Sequence, residues 1–222
     1  MDGGPLGRRL AAEGLGSFFL FATVIGSGIM ADHLSGGNGA IALLGNTLAT
    51  GSMLFVLITV LGPISGAHMN PAVSLVAASR GELSWSDAAA YIAVQLSFGI
   101  FGAWAAHLMF DLPTFQLSVK ARTGLGQWVA EGIATFGLII TILGTVRHRQ
   151  PWVPATVALY ITAAYWFTSS TSFANPAITV ARSLSDTFAG IAPHDVPPFI
   201  VAQLTGAGLA SLTARWLFPA RG

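Results

Sequence analysis

Long apolar runs, separated by short polar segments, dominate the sequence. A helix that spans a membrane needs about 20 mostly apolar residues. By that criterion the sequence predicts six spanning helices, at approximately 10–31, 40–61, 87–109, 126–146, 152–169 and 196–217. The first apolar run, from Leu10 to Met30, exceeds the apolar segment of about 7–15 residues found in signal peptides, and no clear cleavage site of small residues follows it. We therefore expect this run to be the first spanning helix.

Two further apolar runs are too short to span a bilayer. One follows Pro71 and ends near Arg80-Gly81, and the other follows Pro176 and ends near Gly190. Each has about 9–14 residues, and because a helix rises about 1.5 Å per residue, each covers only about half of a bilayer. The pattern therefore predicts an all-α membrane protein with six spanning helices and two re-entrant half-helices.

The composition supports a membrane protein and excludes several kinds of site. Only 9% of the residues are charged and the mean hydropathy is +0.68, whereas soluble domains carry about 25% charged residues. The net charge of +1 argues against a nucleic-acid partner, which requires a clustered basic face. The sequence contains no cysteine, which excludes disulfides, thiolate metal sites and cysteine nucleophiles. We expect no metal and no cofactor. The four histidines other than His68 show no metal-ligand spacing: His33, His107, His148 and His194.

The distribution of lysine and arginine predicts the orientation. Cytoplasmic loops of membrane proteins carry an excess of these residues. If both termini are cytoplasmic, the loop between 110 and 124 lies outside, where Lys120 and Arg122 weaken the bias, together with Arg182. The cytoplasmic side then holds Arg8, Arg9, Arg80, Arg147, Arg149, Arg215 and Arg221. This excess predicts a multi-pass protein of the cell (inner) membrane with both termini cytoplasmic.

The sequence repeats itself once. Both halves contain a Glu between Ala and Gly, then an Asn-Pro-Ala tripeptide, then a Gln within a similar apolar segment. Because each half has an odd number of spans, the halves must insert in opposite orientations, as an inverted 3+3 repeat. We expect one domain over 1–222, with repeats at about 8–110 and 125–218. The matched residues are Glu13 and Glu131, Asn70 and Asn175, and Gln95 and Gln203.

The two tripeptides, Asn70-Pro71-Ala72 and Asn175-Pro176-Ala177, predict two helix starts. Asn is a favoured N-cap and Pro is favoured at the first helical position. In an inverted repeat the two starts meet near the bilayer centre, where each helix N-terminus carries roughly half a positive charge and repels cations. The amides of Asn70 and Asn175 can donate to a passing oxygen. Two ordinary helix caps are the alternative, which the matched positions of the two copies disfavour.

With these motifs the chain resembles the aquaporin, or major intrinsic protein, family. The resemblance rests on Ser65–Ala72, on Ser172–Ala177 and on the matched Glu and Gln residues. It implies that the half-helices form a seventh pseudo-span, that each monomer contains its own pore, and that a homotetramer assembles in the lipid bilayer. It also implies that Glu13 and Glu131 accept hydrogen bonds from the re-entrant loop of their half, as structural supports. Solvated carboxylates near the membrane surface are the alternative.

The sequence departs from the family at the pore filter. In the family an Arg follows the second tripeptide, and here that position is Ile178. Family spacing assigns the other three filter positions to Thr50, Ala163 and Ser172. Such a filter is predicted to be wide and uncharged, so selectivity for water alone is not expected. Subgroups of bacterial members without this Arg, with a similar Ser-Phe-Ala-Asn-Pro-Ala segment, are associated with arsenic handling.

Three features near the pore have alternative interpretations. Arg182 lies one turn beyond Ile178, where it could face the outer vestibule, extend to the membrane surface, or pair with Asp186. His68 could line the inner vestibule or be a structural histidine. The aromatic residues at 165–167 are predicted to belong to an interface belt, with some at the pore rim.

These features predict a passive channel for water and small, mostly uncharged solutes. The resemblance implies glycerol-like polyols and neutral metalloid acids, such as arsenous acid, as candidate solutes. A channel specialised for arsenicals, including methylated or anionic species, is an alternative. A secondary transporter is disfavoured because no Asp, Glu or Lys lies near the tripeptides, and a purely structural protein would not need half-helices. An enzyme is not expected, since the sequence contains no nucleophile–base pair or metal cluster.

Overall fold

A computed structural model describes residues 4–219, and all of the regular secondary structure in that range is helical. Eight α-helices lie within these residues. They are α1 (Leu6–Leu34), α2 (Gly39–Ser65), α3 (Pro71–Ser79), α4 (Trp85–Met109), α5 (Leu125–Arg149), α6 (Val153–Phe167), α7 (Pro176–Ser183) and α8 (Val196–Leu217). The helices α3 and α7 are the half-helices and the other six correspond to the predicted spans. Arg221, one of the predicted cytoplasmic cations, lies outside the described residues.

The helices α5 and α6 form an antiparallel hairpin. Five stretches of the described chain are long and apolar enough to cross a membrane, and one of them, Leu125–Phe167, contains both helices. A 3₁₀ turn at Gln150–Trp152 separates them. The chain reverses there, because Thr156 donates to Thr145 near the turn while Ser169 donates to the Gly126 carbonyl at the opposite end. Six helices therefore cross the bilayer.

The second half-helix is shorter than predicted. Its last residue is Ser183, so the predicted end near Gly190 was wrong. The helix stops because the Arg182 carbonyl accepts from the amides of Ser185 and Ile191, which bends the chain back. The segment 184–192 is consequently a loop that covers the end of the half-helix.

The helix packing repeats between the two halves. In the first half α1 packs against α2 and α4, and in the second half α5 packs against α6 and α8. Each half-helix contacts the last helix of both halves, and α3 contacts α7. The inner helices approach closely through glycine. A β-carbon at Gly102 would overlap the Phe18 carbonyl oxygen, and one at Gly206 would overlap that of Gly132.

These close approaches predict a position-specific loss of stability. Gly206→Val should force α5 and α8 apart, since overpacking costs about 1–3 kcal/mol even where side chains can adjust. Gly208→Val is the matched control, because a β-carbon there meets nothing within 4 Å. Thermal unfolding of the purified variants in detergent measures the difference. Equal loss of stability in both variants would contradict the packing described for Gly206.

The ends of the helices define two faces of the molecule. The face that we call the terminal face holds both ends of the described chain, where Arg9 pairs with Asp87 at 2.7 Å and Arg215 donates to the Ser79 carbonyl. The opposite face, which we call the loop face, carries the segment 110–124. There the Ser118 amide donates to the Ser183 carbonyl at 2.9 Å. The half-helices α3 and α7 therefore start in the interior and end at opposite faces.

Candidate functional site

The two half-helices begin next to each other in the centre of the molecule. Asn70 and Asn175 cap them, since each side-chain oxygen accepts from the amide of the Ala two residues later, at 2.9 and 3.0 Å. Each side-chain nitrogen donates to the opposite loop, from Asn70 to the Ala174 carbonyl and from Asn175 to the Met69 carbonyl, both at 2.8 Å. An amide nitrogen carries two hydrogens, so one hydrogen of each remains for another acceptor.

A buried carboxylate supports the loop that precedes each half-helix. Glu131 accepts from the amides of Phe173 and Ala174, at 2.8 and 2.9 Å, and from Gln203 at 2.6 Å. Glu13 does the same in the first half, where the donors are the amides of His68 and Met69 and the side chains of Ser65 and Gln95. Both carboxylates are fully buried. Backbone groups at membrane depth need such internal partners.

These carboxylates stabilise an unusual backbone. Ala67 and Met69 have φ angles of 48° and 47°, and the corresponding Ser172 and Ala174 have 50° and 47°. This left-handed region is unfavourable for residues with a β-carbon and persists where the surroundings impose it. The two re-entrant loops are therefore held rigidly in one conformation.

One continuous cavity extends past Asn70 and Asn175. It extends from Glu82 and Val146 near the terminal face, past Asn70 and Asn175, to Arg182 near the loop face. Its volume is about 170 Å³, which is room for several water molecules. Most of its wall is apolar, formed by Leu20, Val24, Leu54, Ile58, Leu138, Ile139, Val157 and Ile161.

Three of the four predicted filter residues line this cavity: Thr50, Ser172 and Ile178. Ala163 does not line the cavity, and it is exposed on the outer side of α6. The residues that α6 presents to the cavity are Val153, Val157, Ile161 and Tyr165. They follow one another at intervals of four and so share one helix face, whereas Ala163 lies on another face. The assignment of Ala163 was therefore wrong.

The sequence left an interface belt or the pore rim as alternatives for Tyr165, and the structure places it in the cavity wall. Its hydroxyl donates to the Thr50 hydroxyl at 3.3 Å, and its side chain is buried. Its neighbours Trp166 and Phe167 are exposed, as interface residues are. The period of four from Val157 through Ile161 to Tyr165 is the sequence signal that identifies the cavity-facing side of α6.

Arg182 is buried in the cavity wall, with 2% of its surface exposed. Its guanidinium carbon lies 3.3 Å from the centroid of the Phe173 ring, and its Nε donates to the Ala189 carbonyl. Both the extension to the membrane surface and the pairing with Asp186 were therefore wrong alternatives. Asp186 instead accepts from the Val119 amide at 3.0 Å.

His68 also lines the cavity, on the terminal side of the asparagines. Its Nδ1 lies 3.1 Å from the Ser74 hydroxyl, and its ring packs edge-on against Tyr91. The remaining histidines take no part in the cavity lining. Within residues 4–219 no group of three or more His, Cys, Asp or Glu residues is arranged to hold a metal ion.

Comparison with known proteins identifies this arrangement. The family model described as Major intrinsic protein matches residues 5–169. The chain belongs to the major intrinsic protein family. It is 56% identical over 217 residues to Aquaglyceroporin AqpS of Rhizobium meliloti (strain 1021), over 97% of this chain and 93% of that protein. It is 33% identical to Aquaporin AqpM of Methanothermobacter thermautotrophicus, over 96% and 98% of the two chains.

A solved structure confirms the fold. The X-ray structure of the aquaglyceroporin from Plasmodium falciparum matches with a TM-score of 0.71 and 22% identity, over 97% of this chain and 98% of that one. The predicted aquaporin fold is thereby confirmed. As a member of the major intrinsic protein family, the protein is a passive multi-pass membrane channel for water and small solutes, and not an enzyme.

Proposed function

We propose that this channel passes small uncharged polyols such as glycerol, and neutral metalloid acids such as arsenous acid, in addition to water. The observation that carries the proposal is the wall around Ile178, where Thr50, Tyr165 and Ile161 contribute hydroxyl and apolar groups. A charged side chain at position 178 would narrow this part of the passage. Without one, solutes larger than water can enter.

The wall is suited to solutes that have both apolar and hydroxyl groups. A polyol presents carbon-bound hydrogens to the apolar side chains, and its hydroxyls need acceptors and donors in place of the water that they lose. The free amide hydrogens of Asn70 and Asn175 supply donors at the centre. Arsenous acid is uncharged at neutral pH, and its hydroxyls can form the same hydrogen bonds as those of a polyol. Permeation of arsenous acid is inferred from the subgroup resemblance. Permeation of polyols is inferred from the cavity wall and from the name of the relative Aquaglyceroporin AqpS.

The same centre is proposed to exclude cations and protons. Both half-helices direct their N-termini at it, and each contributes partial positive charge there. The side-chain oxygens of Asn70 and Asn175 are already engaged as helix caps, so these residues can only donate to a passing water. The water that accepts from them interrupts the donor–acceptor order of a chain of waters. Such an interruption opposes proton relay while neutral solutes continue to pass.

Coupled transport is less well supported than a channel. Coupling to a proton or sodium gradient requires an ionisable residue or cation site near the midplane. Among the described residues that line the cavity, the charged side chains are Glu82 near the terminal face and Arg182 near the loop face. The buried Glu13 on α1 and Glu131 on α5 do not line it, and they are engaged by the re-entrant loops. A channel specialised for methylated or anionic arsenicals is the second candidate, favoured by the buried Arg182.

We further propose that the terminal face is cytoplasmic and that the channel lies in the cell (inner) membrane as a homotetramer. Arg8, Arg9, Arg80, Arg147, Arg149 and Arg215 lie at that face. The tetramer follows from the family resemblance. Each monomer would then contain its own passage, one domain built from the two repeats.

Uptake into proteoliposomes tests the proposed function. Radiolabelled glycerol and arsenous acid should enter at the same rate with and without a proton or sodium gradient, because passive flux follows the solute gradient alone. Empty liposomes of the same lipid serve as the control. Uptake that required an ion gradient would reject the channel proposal in favour of coupled transport, and uptake of glycerol without arsenous acid would reject the metalloid part.

A further inference from the structure

Three cations gather near the loop face without a carboxylate partner. Within residues 4–219 the Arg–carboxylate pairs closer than 4.0 Å are Arg9–Asp87 and Arg80–Glu82, both at the terminal face. Lys120, Arg122 and Arg182 have no such pair. The exposed arginines elsewhere are solvated, but Arg182 is almost fully buried. A buried charge is costly unless it is paired.

The Arg182 guanidinium is fixed in position with most of its donors unused. The Phe173 ring supports its face at 3.3 Å, and the Ala189 carbonyl accepts from Nε. Its two terminal nitrogens form no hydrogen bond with any residue of the described chain, and the side chain lines the cavity. A guanidinium has five N–H donors in a planar fork, so four of them remain available to a ligand in the cavity.

Arg122 adds a second positive charge beside the first. Its guanidinium carbon lies 4.9 Å from the same Phe173 ring centroid, so the two guanidiniums are neighbours. Arg122 is held by the carbonyls of Gly190 and Ser170, at 2.7 and 3.1 Å. Burial lowers the pKa of Arg122 to about 10, which leaves it charged at neutral pH.

Lys120 is the third cation, and it is also tied to the loop that covers α7. Its Nζ donates to the Phe188 carbonyl at 2.6 Å and lies 4.7 Å from the Phe188 ring centroid. Burial lowers the pKa of Lys120 to about 8, so it is mostly charged at pH 7. The loop-face end of the cavity is therefore positive.

The nearby acids form no direct ion pair with these cations. Asp186 accepts from the backbone amide of Val119, and Asp195 accepts from the backbone amide of Arg122 at 2.7 Å. Glu131 is used by the re-entrant loop. Each of these carboxylates is engaged by the backbone and none lies within 4.0 Å of a guanidinium nitrogen. Glu131 attracts Arg122 and Arg182, and Asp32 attracts Lys120, only over longer distances. No carboxylate of the described chain therefore forms an ion pair with these cations.

We propose that Arg182, supported by Arg122 and Phe173, binds a small oxyanion at the loop-face end of the cavity. The ligand is a carboxylate or a tetrahedral oxyanion, because two oxygens on one centre match the planar fork of a guanidinium. A bound oxyanion occupies the wall beside Ile178 and narrows the passage. The inference goes beyond the proposed function, since it concerns an anion that binds where neutral solutes pass.

Inhibition of glycerol flux by inorganic phosphate tests this site. Proteoliposomes are equilibrated with phosphate on both sides, at constant ionic strength set with sodium chloride, and glycerol flux is followed by stopped-flow light scattering. Phosphate should inhibit the wild-type channel saturably. Arg182→Gln should raise the phosphate concentration for half-inhibition by about tenfold or more, since charge-assisted hydrogen bonds to a fork are strong. Each variant is compared with its own flux in chloride.

Arg215→Gln is the matched control, because it removes one arginine from the terminal face and should leave the inhibition unchanged. Arg182→Lys should give intermediate inhibition, since it keeps the charge but loses the fork. Undiminished inhibition of Arg182→Gln, or inhibition that also weakens in Arg215→Gln, would overturn the site in favour of general charge effects.

Thermal stability in detergent provides a second readout that does not depend on flux. Phosphate should raise the unfolding temperature of the wild-type protein more than chloride at equal ionic strength, and it should not do so for Arg182→Gln. If wild-type vesicles show no glycerol flux, the proposed function fails while this readout still decides the oxyanion site. Equal stabilisation by phosphate and chloride, or by phosphate in both proteins, would overturn the site.

Discussion

Ile178→Arg is expected to reduce glycerol permeability at least tenfold while water permeability falls much less. Ile178 is buried in the cavity wall one residue after the second tripeptide, near Thr50 and Tyr165. A guanidinium there adds volume and charge where the passage is proposed to admit polyols. Glycerol is wider than water and loses more hydration on entry, so a narrower filter restricts it more strongly. Stopped-flow light scattering of proteoliposomes measures both permeabilities in the same preparation.

Ile178→Leu is the control for this substitution. It conserves the volume of the side chain and usually costs less than about 1.5 kcal/mol, so both permeabilities should remain within about twofold of wild type. If Ile178→Arg folds and loses glycerol and water permeability by the same factor, then Ile178 does not lie at the part of the cavity that selects solutes.

Glu131→Gln is expected to destabilise the folded channel severely. Both carboxylate oxygens of Glu131 accept hydrogen bonds, from the amides of Phe173 and Ala174 and from Gln203. A glutamine replaces one of these acceptors with a donor that faces another donor. Each buried donor left unpaired costs about 1–3 kcal/mol, and the left-handed backbone of the loop then loses its support. Yield of monodisperse protein and the thermal midpoint in detergent should both fall strongly.

Glu82→Gln tests whether this effect is specific to the buried support. Glu82 is the remaining glutamate of the chain. Its side chain is about half exposed and pairs with Arg80 at 2.9 Å. Exposed ion pairs contribute about 0–1 kcal/mol, so the thermal midpoint should hardly change. A Glu131→Gln variant as stable as Glu82→Gln would show that the re-entrant loop does not depend on the carboxylate.

The sequence predicted the helix starts because their signals are local. Asn followed by Pro specifies an N-cap and a first helical residue, and α3 and α7 begin at Pro71 and Pro176. The six spans could also be predicted, since apolar length is sufficient evidence in a bilayer. The hydrogen bonds that join Asn70 to Ala174 and Asn175 to Met69 are contacts between distant segments, which no local pattern specifies.

Counting residues from the tripeptides located the cavity lining only in part, because it assumes a fixed loop length. Thr50, Ser172 and Ile178 line the cavity, whereas Ala163 lies on the outer side of α6. The distance along the chain from α6 to Asn175 includes the loop 168–175, whose path cannot be derived from spacing. The helical period on α6 itself would have identified Tyr165.

The alternative pairing of Arg182 with Asp186 failed because α7 ends between the two residues. A pair four residues apart requires that both residues lie on one helix, but α7 ends at Ser183, before Asp186. The chain then folds back, and the Ala189 carbonyl and the Phe173 ring become the neighbours of Arg182. No local pattern indicates this turn, since it depends on the loop 184–192 and on the segment 110–124 that packs beside it.

The most direct test of the proposed wide channel is osmotic re-swelling of wild-type proteoliposomes in a glycerol gradient. The vesicles should shrink as water leaves and then re-swell rapidly as glycerol enters, at least severalfold faster than empty liposomes, and they should not re-swell in sucrose. Rapid shrinkage without accelerated re-swelling would mean that water passes and glycerol does not, which would contradict the proposed wide channel.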